Sequence, residues 1–309
     1  MRFLCVCLSP AIDATVRLDA WPSDGCIIKD AVDTFAPGGK GLNAARWLAV
    51  RSLAEASGRQ AEGVRRELTQ HRIACGGLLG ADNTSVFERE MAKYGIEDRF
   101  VRVSGATRVN EMFVTPQGSF KINRSAFPNL QVSSLPSPVS LVEGPADTVI
   151  LSGALPKGWP DDTYRRLVEA AKAAGAKTVL DASGKALVEG VKAHPDVIKP
   201  NAEESEALVG FVPRTPDEFR DATAALKAFC DSPIISDGAA GCWFDGEFVP
   251  APKVEVLDTT AAGDTLLAEW CFSEDPRRAV TAGSAACTMP GGEPPPLALV
   301  DSLLGSVGP

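Results

Sequence analysis

Short runs of β-forming apolar residues recur along this chain, each closed by Gly, Pro, Asp or Ser: Phe3 to Leu8, Thr148 to Leu151, Thr178 to Leu180, Val197 to Ile198 and Ile234 to Ile235. Runs that are apolar throughout, rather than at alternate positions, suit strands covered on both faces. Between them lie helical patterns over Lys40 to Leu53, Asp161 to Ala174, Ala202 to Leu208, Pro216 to Phe229, Gly263 to Phe272 and Pro276 to Cys287. Strands that need cover on both sides, separated by segments able to provide it, predict an α/β fold with helices on both faces of one sheet. The 309 residues are enough for one large core or two modest ones.

Composition narrows the function classes. Acidic side chains outnumber basic ones, 40 to 31, for a formal charge of -9. That field repels polyanions, so neither nucleic acid nor an acidic membrane surface is expected as a partner, and any anionic ligand must be held locally. No stretch reaches the roughly 18 to 20 apolar residues of a membrane span, and the apolar run before Asp13 is too short for a signal peptide, so the expected location is cytoplasmic. The eight cysteines form no C-x-x-C pair and the two histidines, His71 and His194, no cluster. Reduced, buried thiols are expected rather than zinc or a disulfide framework.

Two regions, about 12–35 and 100–123, carry shorter alternating stretches with no intervening helix, such as Ala14-Thr-Val-Arg-Leu and Arg108-Val-Asn-Glu-Met-Phe-Val. They predict strands of a small accessory sheet. Residues 52–72, with Arg59, Arg65, Arg66 and Arg72, are expected to form a polar helical insertion at the surface.

Neither a G-x-x-x-x-G-K-[ST] loop nor a strand-linked G-x-G-x-x-G occurs, so phosphate binding needs another device. Asp258-Thr-Thr-Ala-Ala-Gly-Asp264 supplies one: small residues at a helix start leave the first amides, Ala262 and Gly263 among them, free to meet an anion. Asp264 itself would repel phosphate; it suits a general base that takes a hydroxyl proton, or else it complements the helix dipole. Pro37-Gly-Gly-Lys-Gly-Leu-Asn43 offers close backbone approach at Gly39, a point charge at Lys40 and a donor-acceptor at Asn43, suited to a polyhydroxylated or phosphorylated ligand, or simply turns into a helix. Asn201 and Glu204 share a helical face; they fit a capping box, and Glu204 also suits the water shell of Mg²⁺.

In their order along the chain, these segments, together with Ser9-Pro-Ala-Ile-Asp13, Thr107-Arg-Val-Asn110, Ser152-Gly-Ala-Leu-Pro and the Ser236 loop, resemble the ribokinase-like (PfkB-type) carbohydrate kinases. The resemblance points to the branch containing 1-phosphofructokinase and tagatose-6-phosphate kinase. It implies one three-layer α/β/α domain over 1–309 with a small β-sheet lid, and a possible homodimer through that lid. It also implies ATP and Mg²⁺ as cofactors and transfer of phosphate to a sugar phosphate, fructose 1-phosphate to fructose 1,6-bisphosphate foremost. By resemblance Asp13, Gly39, Lys40 and Asn43 contact the sugar, with Arg108 and Asn110 reaching it from the lid. Asn201 and Glu204 organise Mg²⁺ and ATP phosphates, Ser236, Gly238 and Gly241 line the nucleotide side, and Asp264 is the base.

Three departures keep alternatives open. Ala261 stands where the family's turn usually begins with glycine, a strained choice if φ is positive. Met112 stands where the branch often carries a lysine, leaving Lys121, Arg124 or Arg102 to meet the substrate's phosphate. Only about two helices are expected after Asp264, which leaves room for an altered adenine pocket or another donor. The alternatives are a kinase of unphosphorylated sugars or nucleosides, and a catalytically weak, sugar-phosphate-binding regulatory protein.

Overall fold

A computed structural model describes residues 1–22, 32–61, 71–127 and 137–306. Among these residues the main sheet has nine strands, in the order β13 (Glu247–Pro250), β12 (Gly241–Phe244), β11 (Ser232–Ser236), β10 (Val197–Ile198), β9 (Lys177–Asp181), β8 (Thr148–Ser152), β1 (Arg2–Cys7), β4 (Arg72–Gly80), β5 (Glu97–Val103). From β5 to β11 neighbouring strands run parallel, and β12 and β13 close the edge as an antiparallel hairpin. Strand β1 (Arg2–Cys7) lies between β4 (Arg72–Gly80) and β8 (Thr148–Ser152). Along β1 the side chains alternate: Phe3, Cys5 and Cys7 enter one core with Leu42, Trp47 and Leu267, while Leu4, Val6 and Leu8 enter the other with Tyr164, Leu167 and Leu180. A sheet apolar on both faces demands helices on both, which is the three-layer arrangement. Helices α1 (Lys40–Ala61), α7 (Ala262–Ser273) and α8 (Pro276–Ala286) cover one side, and α3 (Thr163–Ala173), α4 (Gly184–Gly190) and α6 (Pro216–Leu226) the other.

The strands expected from apolar runs are β1, β8, β9 (Lys177–Asp181), β10 (Val197–Ile198) and β11 (Ser232–Ser236). Strand β4 was hidden by its glycines, Gly76 and Gly77, which read as turn punctuation in sequence but here let strands approach closely. A Cβ at Gly77 (φ +124°) would collide with the Cys7 carbonyl. The hairpin β12 (Gly241–Phe244) and β13 (Glu247–Pro250), and helices α2 (Ser85–Tyr94), α4 and α9 (Leu297–Ser306), also lay outside the expected elements.

A second sheet of four strands has the order β3-β2-β6-β7, from β2 (Ala11–Arg17), β3 (Val32–Gly38), β6 (Val109–Thr115) and β7 (Gly118–Ile122). Distant stretches pair as the alternation suggested, with one correction: residues from 100 on begin inside β5 (Glu97–Val103), the main sheet's edge strand. The Arg-rich stretch is also corrected. Helix α1 continues through Ala61 and Arg72 opens β4, while 62–70 and the side chain of Arg59 lie outside the described residues. Among the described residues, three helices lie from Asp264 onward, α7, α8 and α9, not two. Among the described residues no helix is long and apolar enough to cross a membrane.

Candidate active site

Strand order reverses around β1, and in open α/β sheets the crevice beyond the carboxyl ends at such a point is where ligands bind. Here that edge gathers Asp181 at the end of β9, Lys199 just after β10, Ser236 at the end of β11 and the first turns of α1 and α7. Asp264 sits in the first turn of α7 at 4% exposure. Its Oδ2 accepts a hydrogen bond from Asn43 Nδ2 at 2.8 Å. Asp181, 1% exposed, accepts from Lys40 Nζ at 3.1 Å and faces Lys199 Nζ at 3.4 Å. Two carboxylates and two ammonium groups therefore share one pocket.

Burial and then the Asp181 charge push the Asp264 carboxyl up to about 7, against the pull of Lys40, Asn43 and Lys199. Burial would lower the Lys40 ammonium, but Asp181 and Asp264 outweigh it, so Lys40 is raised and keeps its charge. A base poised near neutrality is what proton abstraction from a hydroxyl calls for.

Beside Asp264, the Ala262 amide is taken by the Thr259 carbonyl at 3.3 Å, and the Thr265 amide by Ala261 at 2.9 Å. Among the described residues, the Gly263 and Asp264 amides have no acceptor of their own. Of the two amides expected to be free, Ala262 is therefore committed to the backbone and Gly263 is not, and the Asp264 amide joins it. Lys199 Nζ lies 3.3 Å from where a Gly263 Cβ would stand, so glycine leaves room for a cation at the same amides. Ala261 adopts φ -106°, ψ 2°, a conformation open to any residue, which removes the expected cost of alanine there.

The small sheet brings the sugar-side candidates together. Asp13 of β2 pairs in register with Asn110 of β6, and Asn110 Nδ2 donates to Asp13 Oδ1 at 3.0 Å. A Cβ at Gly38 would collide with the Asp13 carboxylate, and one at Gly39 (φ +133°) would lie 2.5 Å from Cys7 Sγ. These glycines let the chain pass between the two sheets into α1. Arg108 is placed as a tether: its guanidinium donates to the carbonyls of Ser9, Pro10 and Arg124 at 3.1, 3.2 and 2.7 Å.

Met112 pairs across the ladder with Lys121, so the two side chains share a face with Asp13 and Asn110. Lys121 Nζ lies 3.4 Å from Asp13 Oδ1. Of the three cations considered for the place of a lysine at 112, Lys121 is on the site. Arg124 pairs with Glu111 and Arg102 with Asp98 and Glu88.

On the other side, Asn201 and Glu204 form the capping box of α5 (Ala202–Val209): Asn201 Oδ1 accepts from the Glu204 amide at 2.7 Å, and Glu204 Oε2 from the Asn201 amide at 3.0 Å. Capping commits one Glu204 oxygen, and the Glu204 charge also acts on Lys40. The Ser236 amide donates to the Pro200 carbonyl at 3.1 Å, which ties the two loops together. Gly238 (φ +53°) faces open space, whereas a Cβ at Gly241 would strike the Val249 carbonyl. Gly241 is therefore a packing requirement of the β12–β13 hairpin.

Asp181, and Lys199 at the head of the Lys199-Pro-Asn-Ala-Glu-Glu204 segment, are the residues to which the sequence reading gave no role. Their available signal was position: a carboxylate or ammonium immediately after a fully apolar strand lands at the carboxyl edge of a parallel sheet. Among the described residues no three metal-ligating side chains cluster. Both Asp181 oxygens face an ammonium group, Oδ2 that of Lys40 at 3.1 Å and Oδ1 that of Lys199 at 3.4 Å, whereas capping uses only Oε2 of Glu204.

Comparison with known proteins identifies the family. The chain is 32% identical over 246 residues to 1-phosphofructokinase of Haemophilus influenzae, covering 75% of this chain and 71% of that protein. It is 30% identical over 279 residues to 1-phosphofructokinase of Rhodobacter capsulatus, covering 87% and 82%. The structure of Escherichia coli phosphofructokinase-2 in complex with substrates and products superposes with a TM-score of 0.83 at 21% identity, over 99% of each chain. The pattern of the pfkB family carbohydrate kinases matches residues 5–289. The chain belongs to the pfkB family of carbohydrate kinases, phosphotransferases with an alcohol group as acceptor.

Proposed function

We propose that the protein transfers the γ-phosphoryl group of ATP to a hydroxyl of a phosphorylated ketohexose, with fructose 1-phosphate giving fructose 1,6-bisphosphate as the first candidate. The observation that carries this reading is the buried Asp264 carboxylate beside two uncommitted amides and two lysines. Asp264 takes the hydroxyl proton as the sugar oxygen bonds to phosphorus and the bond to the departing ADP oxygen breaks. The Gly263 and Asp264 amides and the Lys40 and Lys199 ammonium groups stabilise charge on the transferring group. Glu204 would hold Mg²⁺ through its water shell, and the ion when bound neutralises phosphate charge. The small sheet would act as a lid, excluding water that would otherwise compete with the sugar for the phosphoryl group.

A phosphorylated acceptor is favoured by Lys121, which restores on β7 the cation missing at Met112. An assay coupled to ADP release over fructose 1-phosphate, fructose 6-phosphate, tagatose 6-phosphate, fructose, ribose and adenosine tests it. Turnover is expected with a phosphoketohexose; turnover only with unphosphorylated acceptors refutes it. Lys121→Ala is expected to raise KM for the sugar phosphate roughly 10- to 100-fold, the range of a hydrogen bond to a charged group, and to spare KM for ATP. An unchanged sugar-phosphate KM would remove Lys121 from the site.

We also assign the opposite face of the small sheet to contact with a second copy of the chain. It presents Phe35, Phe120 and Ile122 at 59%, 48% and 40% exposure, with Trp21 and Phe113 stacked on Phe120 at 5.3 and 4.9 Å. Sedimentation should report a dimer that Phe120→Glu dissociates; a monomeric wild type would end this assignment.

A further inference from the structure

A carboxamide has two ends alike in shape and opposite in chemistry, and only the NH₂ end supports a neighbouring carboxylate. Asn43 donates from Nδ2 to Asp264 Oδ2 at 2.8 Å, so its orientation decides whether the base meets a donor or a second oxygen. The other end of the amide is held by Arg46, one turn further along α1: Arg46 Nη1 donates to Asn43 Oδ1 at 3.0 Å. Arg46 is 2% exposed, an unusual place for a guanidinium, and it is fixed from several directions. Its Nη2 donates to the Pro37 carbonyl at 2.6 Å, Nη1 also reaches the Gly292 carbonyl at 3.2 Å, and Nε faces Glu90 of α2 at 2.8 Å. A Cβ at Gly292 would collide with Asn43 Oδ1, so the turn before α9 is pressed onto the amide.

We propose that Arg46 is a positioning residue for the base: by claiming the Asn43 oxygen it forces the Asn43 NH₂ group onto Asp264. A guanidinium has no acceptor atom, so it accepts only the oxygen end of the amide and excludes the flipped orientation. A donor on Oδ2 favours ionised Asp264, opposing burial and the Asp181 charge, which both favour the protonated acid. The groups facing Asp264 are Asp181 from β9, Lys40 and Asn43 from α1, Lys199 from the segment before α5 and the Cys7 thiol from β1. Arg46 acts on it through Asn43.

The inference rests on Asp264 being the base, yet its test does not need turnover. In wild-type protein, the Asn43 side-chain NH₂ resonances should titrate with the same midpoint as the ¹³C-labelled Asp264 carboxyl; NH₂ resonances flat across that titration would overturn the proposal. In Arg46→Met the Asp264 midpoint should rise by about one pH unit or more, the value of a hydrogen bond to a charged group. Asn43→Ala should do the same, and adding Arg46→Met to it should move the midpoint no further. An unmoved midpoint in folded Arg46→Met, or additive shifts in the double variant, would defeat the proposal. The acidic limb of the pH–rate profile should follow the same pattern, and Arg46→Lys, which lacks the planar fork, should restore it only in part. Coupled titrations in a protein without kinase turnover would sink the kinase reading alone, and uncoupled titrations in an active kinase would sink this inference alone.

Discussion

Asp264→Asn is expected to cut turnover by about 10²- to 10⁴-fold, the usual contribution of a positioned general base. The variant should bind ATP with near wild-type affinity. The substitution keeps the side chain's shape and leaves the Gly263 and Asp264 amides, Lys40 and Lys199 in place, so the phosphate-binding groups survive while the proton acceptor does not. Single-turnover kinetics separate the two effects: the chemical step should slow and the nucleotide dissociation constant should barely move. Wild-type-like turnover would refute Asp264 as the base.

The same carboxyl ties activity and stability to pH in opposite senses. With its pKa raised to about 7, it must lose a proton before it can accept one, so kcat/KM should fall about tenfold per pH unit below neutrality. For stability, a group whose folded pKa lies above its unfolded value, near 3.8, binds more protons when folded. Its favourable contribution is complete below about pH 4 and is lost as pH rises through about 7. At pH 8 the ionised, buried acid costs up to about 4 kcal/mol. Asp264→Asn removes that cost, so the inactive variant should melt several degrees higher than wild type at pH 8, with the gap closing as the pH is lowered toward 4. Parallel melting curves for the two proteins across that range would contradict the burial described here.

Much of the site was legible because its residues lie in motifs whose local chemistry is distinctive. Gly38-Gly39 before a helix, the Asn201–Glu204 cap and the small residues before Asp264 each announce a chain turn with amides or side chains left over. The Asn201–Glu204 pair was legible as a capping box, and both of its hydrogen bonds are present. Elements defined by long-range packing were not legible. Strand β4 carries adjacent glycines that mean a turn in isolation and close strand approach once β1 lies beside them. Strand β5 reads as amphipathic because it forms a sheet edge.

The sequence by itself determined the alternation of strand and helix, the expectation of a small second sheet and the candidate for the base, since these follow from periodicity, turn chemistry and motifs within a few residues of one another. Only the tertiary structure decided that Lys121 lies across from Met112 and beside Asp13, that Asp181, Lys40 and Lys199 act on Asp264, and that Arg46 and Asp264 hold opposite ends of the Asn43 amide. Those relations join groups far apart in the chain, and their energies depend on distance, burial and hydrogen-bond direction, which exist only after the sheets have paired and the helices have packed.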